Sequence, residues 1–155
     1  MRMGWLALLT VTSMIGSPGT PGASPRDTVR SPGFDVDVIV DGVPLTEHAA
    51  RGRHYVEALE GREYAIRLRN PLGVRVAVAL SVDGLNTIDA RRSSASDARK
   101  WVLGPHETVT ISGWQTSSGQ ARRFYFTTEA RSYFQWLGQT EDLGTISAVF
   151  FRESV

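Results

Sequence analysis

Glu47, His48, His54 and Glu57 bring two imidazoles and two carboxylates into one short span. Such ligands suit zinc or another divalent ion, which makes His48 and His54 the candidate metal residues. Their spacing matches no standard zinc signature, and Arg51 and Arg53 between them would repel a cation. A solvated loop running into an edge strand is the competing reading. A second group is cationic: Arg91, Arg92, Arg99 and Lys100, beside Trp101. Guanidinium forks suit phosphate, sulfate or a carboxylated glycan, although Asp89, Asp97 and Glu107 lie close enough in sequence to neutralise them. A third group is aromatic. Trp101, Trp114, Trp136, Tyr125 and Tyr133 could stack on sugar rings or fill a core. Tyr133 and Trp136 are three residues apart and would share a face on a helical turn, so they join the four cations as candidate ligand-binding residues.

Asp83, Asn86 and Asp89 offer oxygen ligands for calcium, but the regular acidic spacing of an EF-hand is absent, and Asp83-Gly84 reads as a turn at a strand end. There is no G-x-S-x-G, and no glycine cluster forms a phosphate loop. No catalytic residue is assigned and no cofactor is expected. A Ser-His-acid constellation, or two carboxylates across a glycosidic bond, assembles in space and so stays open; Asp83 and Asp89 are the best-placed acids.

These groups sit on a chain of 155 residues with a formal net charge of +1. That balance gives no general pull toward nucleic acid or anionic lipid. Arginine outnumbers lysine sixteen to one, which fits a GC-rich coding bias. Without cysteine there is no disulfide, no thiolate metal site and no lipid-modified cysteine, so stability must come from packing.

Met1-Arg2-Met3 followed by an apolar run from Trp5 to Ile15 reads as an export signal. The run falls short of the roughly 20 residues of a membrane span. Small residues follow, and cleavage after Ala23 is expected, with an uncleaved anchor as the alternative. The domain reading is therefore 1–23 signal peptide, 24–33 flexible leader and 34–155 folded domain. The location expected is the periplasm or the outside of the cell, with no transmembrane span after cleavage.

Within 34–155, period-two alternation marks the strands. Phe34, Val36, Val38 and Val40 alternate up to the Asp41-Gly42 turn, and His54 to Leu59 follows. Tyr64, Ile66 and Leu68, then Val74, Val76, Val78, Leu80 and Val82, flank Asn70-Pro71-Leu72-Gly73, which reads as a hairpin. Trp101–Leu103, Thr108–Trp114, Phe124–Phe126 and the continuous apolar run Thr145–Arg152 complete the set, and Ser132 to Leu137 reads as one helical turn. The long polar stretch from Asn86 to Lys100 reads as a loop. Seven or eight strands with closely spaced turns predict an all-β, single-domain antiparallel sandwich or jelly roll.

Tyr64-x-Ile66-x-Leu68-x-Asn70, then Leu80-Ser81-Val82-Asp83-Gly84-Leu85-Asn86, Val102-Leu103-x-Pro105, Ile111-x-Gly113-Trp114, Phe124-x-Phe126-Thr127, Ser132-Tyr133 and Leu143-Gly144-x-Ile146 form a pattern. In it the chain resembles a group of exported bacterial β-domain proteins of unknown function. The resemblance runs from about Arg53 onward, implies a compact exported β-domain and carries no catalytic residue. The function expected is a non-enzymatic binding or interaction module, using loops on a sandwich, whose partner is a protein or an anionic or glycan ligand. A subunit of a surface assembly, joined through edge strands and possible as a homo-oligomer, is the second reading. An envelope-glycan enzyme is the third.

Overall fold

β-Branched and aromatic residues at every second position leave the chain few ways to bury its apolar surface except as paired strands. The computed structural model describes residues 6–14, 34–50, 53–115, 121–126 and 144–153. Among them are thirteen strands and no helix. They are β1 (Leu6–Met14), β2 (Asp35–Val40), β3 (Val43–Pro44), β4 (Glu47–Ala50), β5 (Arg53–Glu57), β6 (Glu63–Arg69) and β7 (Val76–Val82). There follow β8 (Leu85–Asn86), β9 (Trp101–Leu103), β10 (Thr108–Ile111), β11 (Gly113–Gln115), β12 (Ala121–Tyr125) and β13 (Thr145–Arg152). The excess over the strands expected comes from β1, β3, β4 and β8 and from the division of Thr108–Trp114 into β10 and β11. The helical turn expected at Ser132–Leu137 lies outside the described residues, as do Tyr133 and Trp136 themselves.

The strands form a sandwich. One seven-stranded sheet runs β4-β5-β1-β13-β7-β8, with β9 also on β7. The other, six-stranded, runs β11-β12-β6-β2-β3, with β10 also on β6. Their inner faces share one core: Val36, Val38, Tyr64, Ile66, Leu68, Ile111 and Phe124 from the second sheet meet Val76, Val78, Leu80, Val82, Ile146, Ala148 and Phe150 from the first. Phe34 meets Phe150 across the gap with the rings tilted and 4.5 Å between centroids. Tyr64 lies between Phe124 and Phe126, and Trp114 meets Phe124 edge-on.

One expectation is corrected. β6 and β7 do not form a hairpin: β6 pairs with β2, β10 and β12, whereas β7 pairs with β13, β8 and β9. The connection is an arch between the sheets, built on Asn70, which is fully buried. Its side-chain amide donates to the carbonyls of Val74 and Gly104, both at 2.8 Å, and its Oδ1 accepts the Leu72 N–H. Alternation places apolar residues on one face whichever strand lies alongside, so it says nothing of pairing. Two tight hairpins do sit at Asp41-Gly42, between β2 and β3, and at Asp83-Gly84, between β7 and β8. Both residues of each pair have positive φ, as a type I′ turn requires.

Candidate functional site

The stretch from Asn86 to Lys100 leaves β8 and lies as a strap over the outer face of β7 and β13. Its first two residues anchor it. Asn86, nearly buried, donates from Nδ2 to the Arg99 carbonyl and accepts the Ile88 N–H on Oδ1, both at 2.8 Å. Its backbone N–H reaches the Arg91 carbonyl, and its own carbonyl accepts the Ala90 N–H. Thr87, fully buried, donates from N and Oγ1 to the Leu80 carbonyl, and its Oγ1 accepts the indole N–H of Trp101 at 2.9 Å. Its carbonyl takes the Gln115 N–H, which ties the strap to the second sheet. Short polar side chains of this kind satisfy a buried loop backbone that no strand partner reaches.

The far end of the strap is a compact turn. Ser94 accepts the N–H groups of Asp97 and Ala98 on its carbonyl, and its hydroxyl donates to the Asp97 carboxylate. Lys100 Nζ donates to the carbonyls of Ser96 and Ala98 at 2.8 and 2.9 Å and lies 4.9 Å from the centre of the Phe151 ring. Lys100 is thus drawn inward, where it closes the turn over β13.

Beneath the strap is a pocket of about 120 Å³. Its floor is Ala79, Ser81, Ser147 and Val149; Asn86, Ser93 and Ala98 help to wall it. The register sets Ser81 opposite Ser147 and Ala79 opposite Val149, and small side chains at those four positions leave the depression. The wall carries hydroxyl and amide groups but no carboxylate, imidazole or amine. The pocket is well below the roughly 300–1,000 Å³ of a usual small-molecule site.

Arg91, Arg92 and Arg99 are all exposed on this strap. Arg99 lies within 3.9 Å of Asp89, and Asp89 also accepts the Arg91 N–H. Lys100 stands apart from them. Of the metal candidates, Glu47 and His54 meet at 2.8 Å across β4 and β5. His48 stands opposite Tyr55 and His54 opposite Ala49, so alternation sends the two imidazoles to opposite faces, and Glu57 goes with His48. Among the described residues no three His, Asp or Glu side chains gather as a metal site. The calcium candidates are engaged elsewhere: Asp83 Oδ1 accepts the Gly144 N–H at 2.7 Å, and Asn86 and Asp89 accept strap N–H groups. Burial pushes the Asp83 carboxyl above the usual carboxylate range, and the Gly144 N–H pulls it partly back.

Other charges pair across strands. Asp35 faces Arg69 and Asp37 faces Arg67, the latter at 2.9 Å, on the outer face of the second sheet. On the same face Glu63 holds Arg123 at 3.0 Å and the Tyr125 hydroxyl at 2.8 Å. From sequence Asn86 was named only as a calcium ligand, and Ser81 and Asn86 as parts of the resemblance pattern; Thr87, Ser93 and Ser147 were given no role in a site. The Asp83-Gly84 turn just ahead of Asn86-Thr87 was the signal the sequence offered. No family model, curated protein or solved structure matches the chain.

Proposed function

We propose that the protein is an exported, non-enzymatic binding module whose contact surface is the strap from Asn86 to Lys100. One observation carries this reading: the strap is fixed to the sandwich from beneath by buried Asn86 and Thr87, while Arg91, Arg92 and Arg99 are exposed on it. A loop held in this way loses little further backbone freedom when a ligand binds, so the positions that carry its guanidinium groups are pre-organised. Their ligand is an anion: a sulfated or carboxylated glycan, or an acidic segment of a protein. The small pocket beneath the strap offers hydroxyl and amide groups. Its wall holds no titratable group, which favours binding over catalysis there. Export rests on the sequence of the first residues, which no feature of the strap addresses.

Titration calorimetry with sulfated and carboxylated oligosaccharides tests the reading. Binding should weaken with rising salt, and the triple variant R91A/R92A/R99A should lose roughly tenfold or more in affinity, about 1.4 kcal/mol. Its melting temperature should stay within about 2 °C of the parent, because exposed ion pairs contribute little to stability. Equal affinity of the variant and the parent would remove the strap from the reading.

A further inference from the structure

β1 holds a position unlike that of any other strand. It pairs parallel with β13, from Leu8 opposite Thr145 to Met14 opposite Phe151, whereas every other pairing among the described strands is antiparallel. On its other side it pairs with β5, from Leu6 opposite Glu57 to Leu9 opposite His54. Among the described residues no pairing joins β5 to β13 directly, and β1 alone links the β4–β5 hairpin to the rest of the sheet. Yet Leu6–Met14 is also the apolar centre of the segment whose pattern is that of an export signal. Cleavage after Ala23 would take β1 away.

We propose that in the exported protein the seam between β5 and β13 is a strand acceptor. It takes, in place of β1, an extended apolar segment donated by another protein and laid parallel to β13. The proposal rests on the export reading but not on the strap. Three observations support it. First, the seam is bounded by strands on both sides, so its occupant must supply N–H and C=O groups in both directions, which only another strand does. Second, β13 turns Ile146, Ala148 and Phe150, each at most 2% exposed, into the core. Its edge, once vacated, would be a row of unpaired backbone groups along an apolar strand, the usual template for strand addition. Third, the seam's demands are specific: seven residues opposite Thr145–Phe151, apolar at alternate positions and free of proline. The leader between 24 and 33 does not meet them, because it carries Pro25, Pro32, Arg26, Asp27 and Arg30. The leader is therefore not the donor, and the segment taken up in this proposal comes from a different protein.

The test uses the exported protein recovered from a secreting bacterial host, with its N-terminus fixed by intact mass. The probe is a synthetic peptide of residues 6–14 with lysines appended for solubility. Because the chain has no cysteine, an S147C variant reports register cleanly. A T10C peptide should form a disulfide with S147C, because positions 10 and 147 are opposite. An L6C peptide, whose first residue pairs only with β5, should not. The unmodified peptide should raise the melting temperature by several degrees, and a peptide carrying V11P should not. A processed chain that is insoluble alone should be recovered by refolding with the peptide. Four results would overturn the proposal. They are exported protein that retains residues 6–14, a processed chain that folds yet does not take the peptide, one that pairs with its own copy and excludes the peptide, and one that stays aggregated with the peptide present.

Discussion

Asn70 shows how much a single buried amide can decide. It makes three side-chain hydrogen bonds at a point where the chain leaves one sheet for the other, and no water reaches it. Asn70→Ala leaves the Leu72 N–H and the Val74 and Gly104 carbonyls without this partner and should cost about 2–4 kcal/mol in guanidinium unfolding. Asp83 makes a different prediction. Its carboxyl is raised in the folded state by burial, so the folded protein holds the proton more tightly than the unfolded chain. Stability from this group is therefore greatest below the ordinary carboxylate range and falls as pH rises through the raised folded value. Asp83→Asn keeps an oxygen for the Gly144 N–H and tolerates the positive φ of 53°. Unfolding midpoints at pH 7 should favour the variant, and that advantage should shrink toward pH 4. An advantage that grew on acidification would show that burial is not what governs this carboxyl.

At the scale of elements, two features carry the strap and the second sheet. β10 and β11 are one run broken at Ser112, where the chain leaves β6 for β12. Gly113 makes the crossing possible, because a Cβ there would stand 2.3 Å from the Arg122 carbonyl oxygen. The obstacle is backbone and cannot swing aside. Gly113→Ala should cost about 2 kcal/mol or more, with near-ultraviolet dichroism of Trp114 altered, since that ring lies directly after the break. The strap depends on Thr87 in a comparable way. Thr87→Val keeps the shape but leaves the Trp101 indole N–H without its acceptor, so about 1–3 kcal/mol should be lost. Limited proteolysis should then cut between Arg91 and Arg99 faster than in the parent, while a strap held by other contacts would be cut at the parental rate.

For the whole molecule, the core lies between β2, β6 and β10 on one side and β7 and β13 on the other, with Phe150 fully buried at its centre. Phe150→Ala should cost about 3–5 kcal/mol, the range for emptying a large core site. Hydrogen exchange should be slowest in β6, β7 and β13, each paired on both edges, and faster in β3 and β4 at the sheet margins. Equal protection in β4 and β13 would contradict the sheet order given above.

The sequence by itself determined the class of fold and the main strands, because burial of alternate residues is a local property that any strand writes into its own pattern. Thr145–Arg152 and Trp101–Leu103 were legible to the residue, and so were the turns at Asp41-Gly42 and Asp83-Gly84. Partner choice was left to the tertiary structure. Tyr64–Leu68 and Val76–Val82 look the same whether they pair with each other or face each other across a core, and the buried Asn70 arch decides for the second. The candidate surface divides likewise. The cations between Arg91 and Lys100 could be read directly, but Lys100 turns inward to backbone carbonyls and His48 turns away from His54. Charge and spacing along the chain fix which groups are available; only the sheet beneath fixes the direction in which each one points.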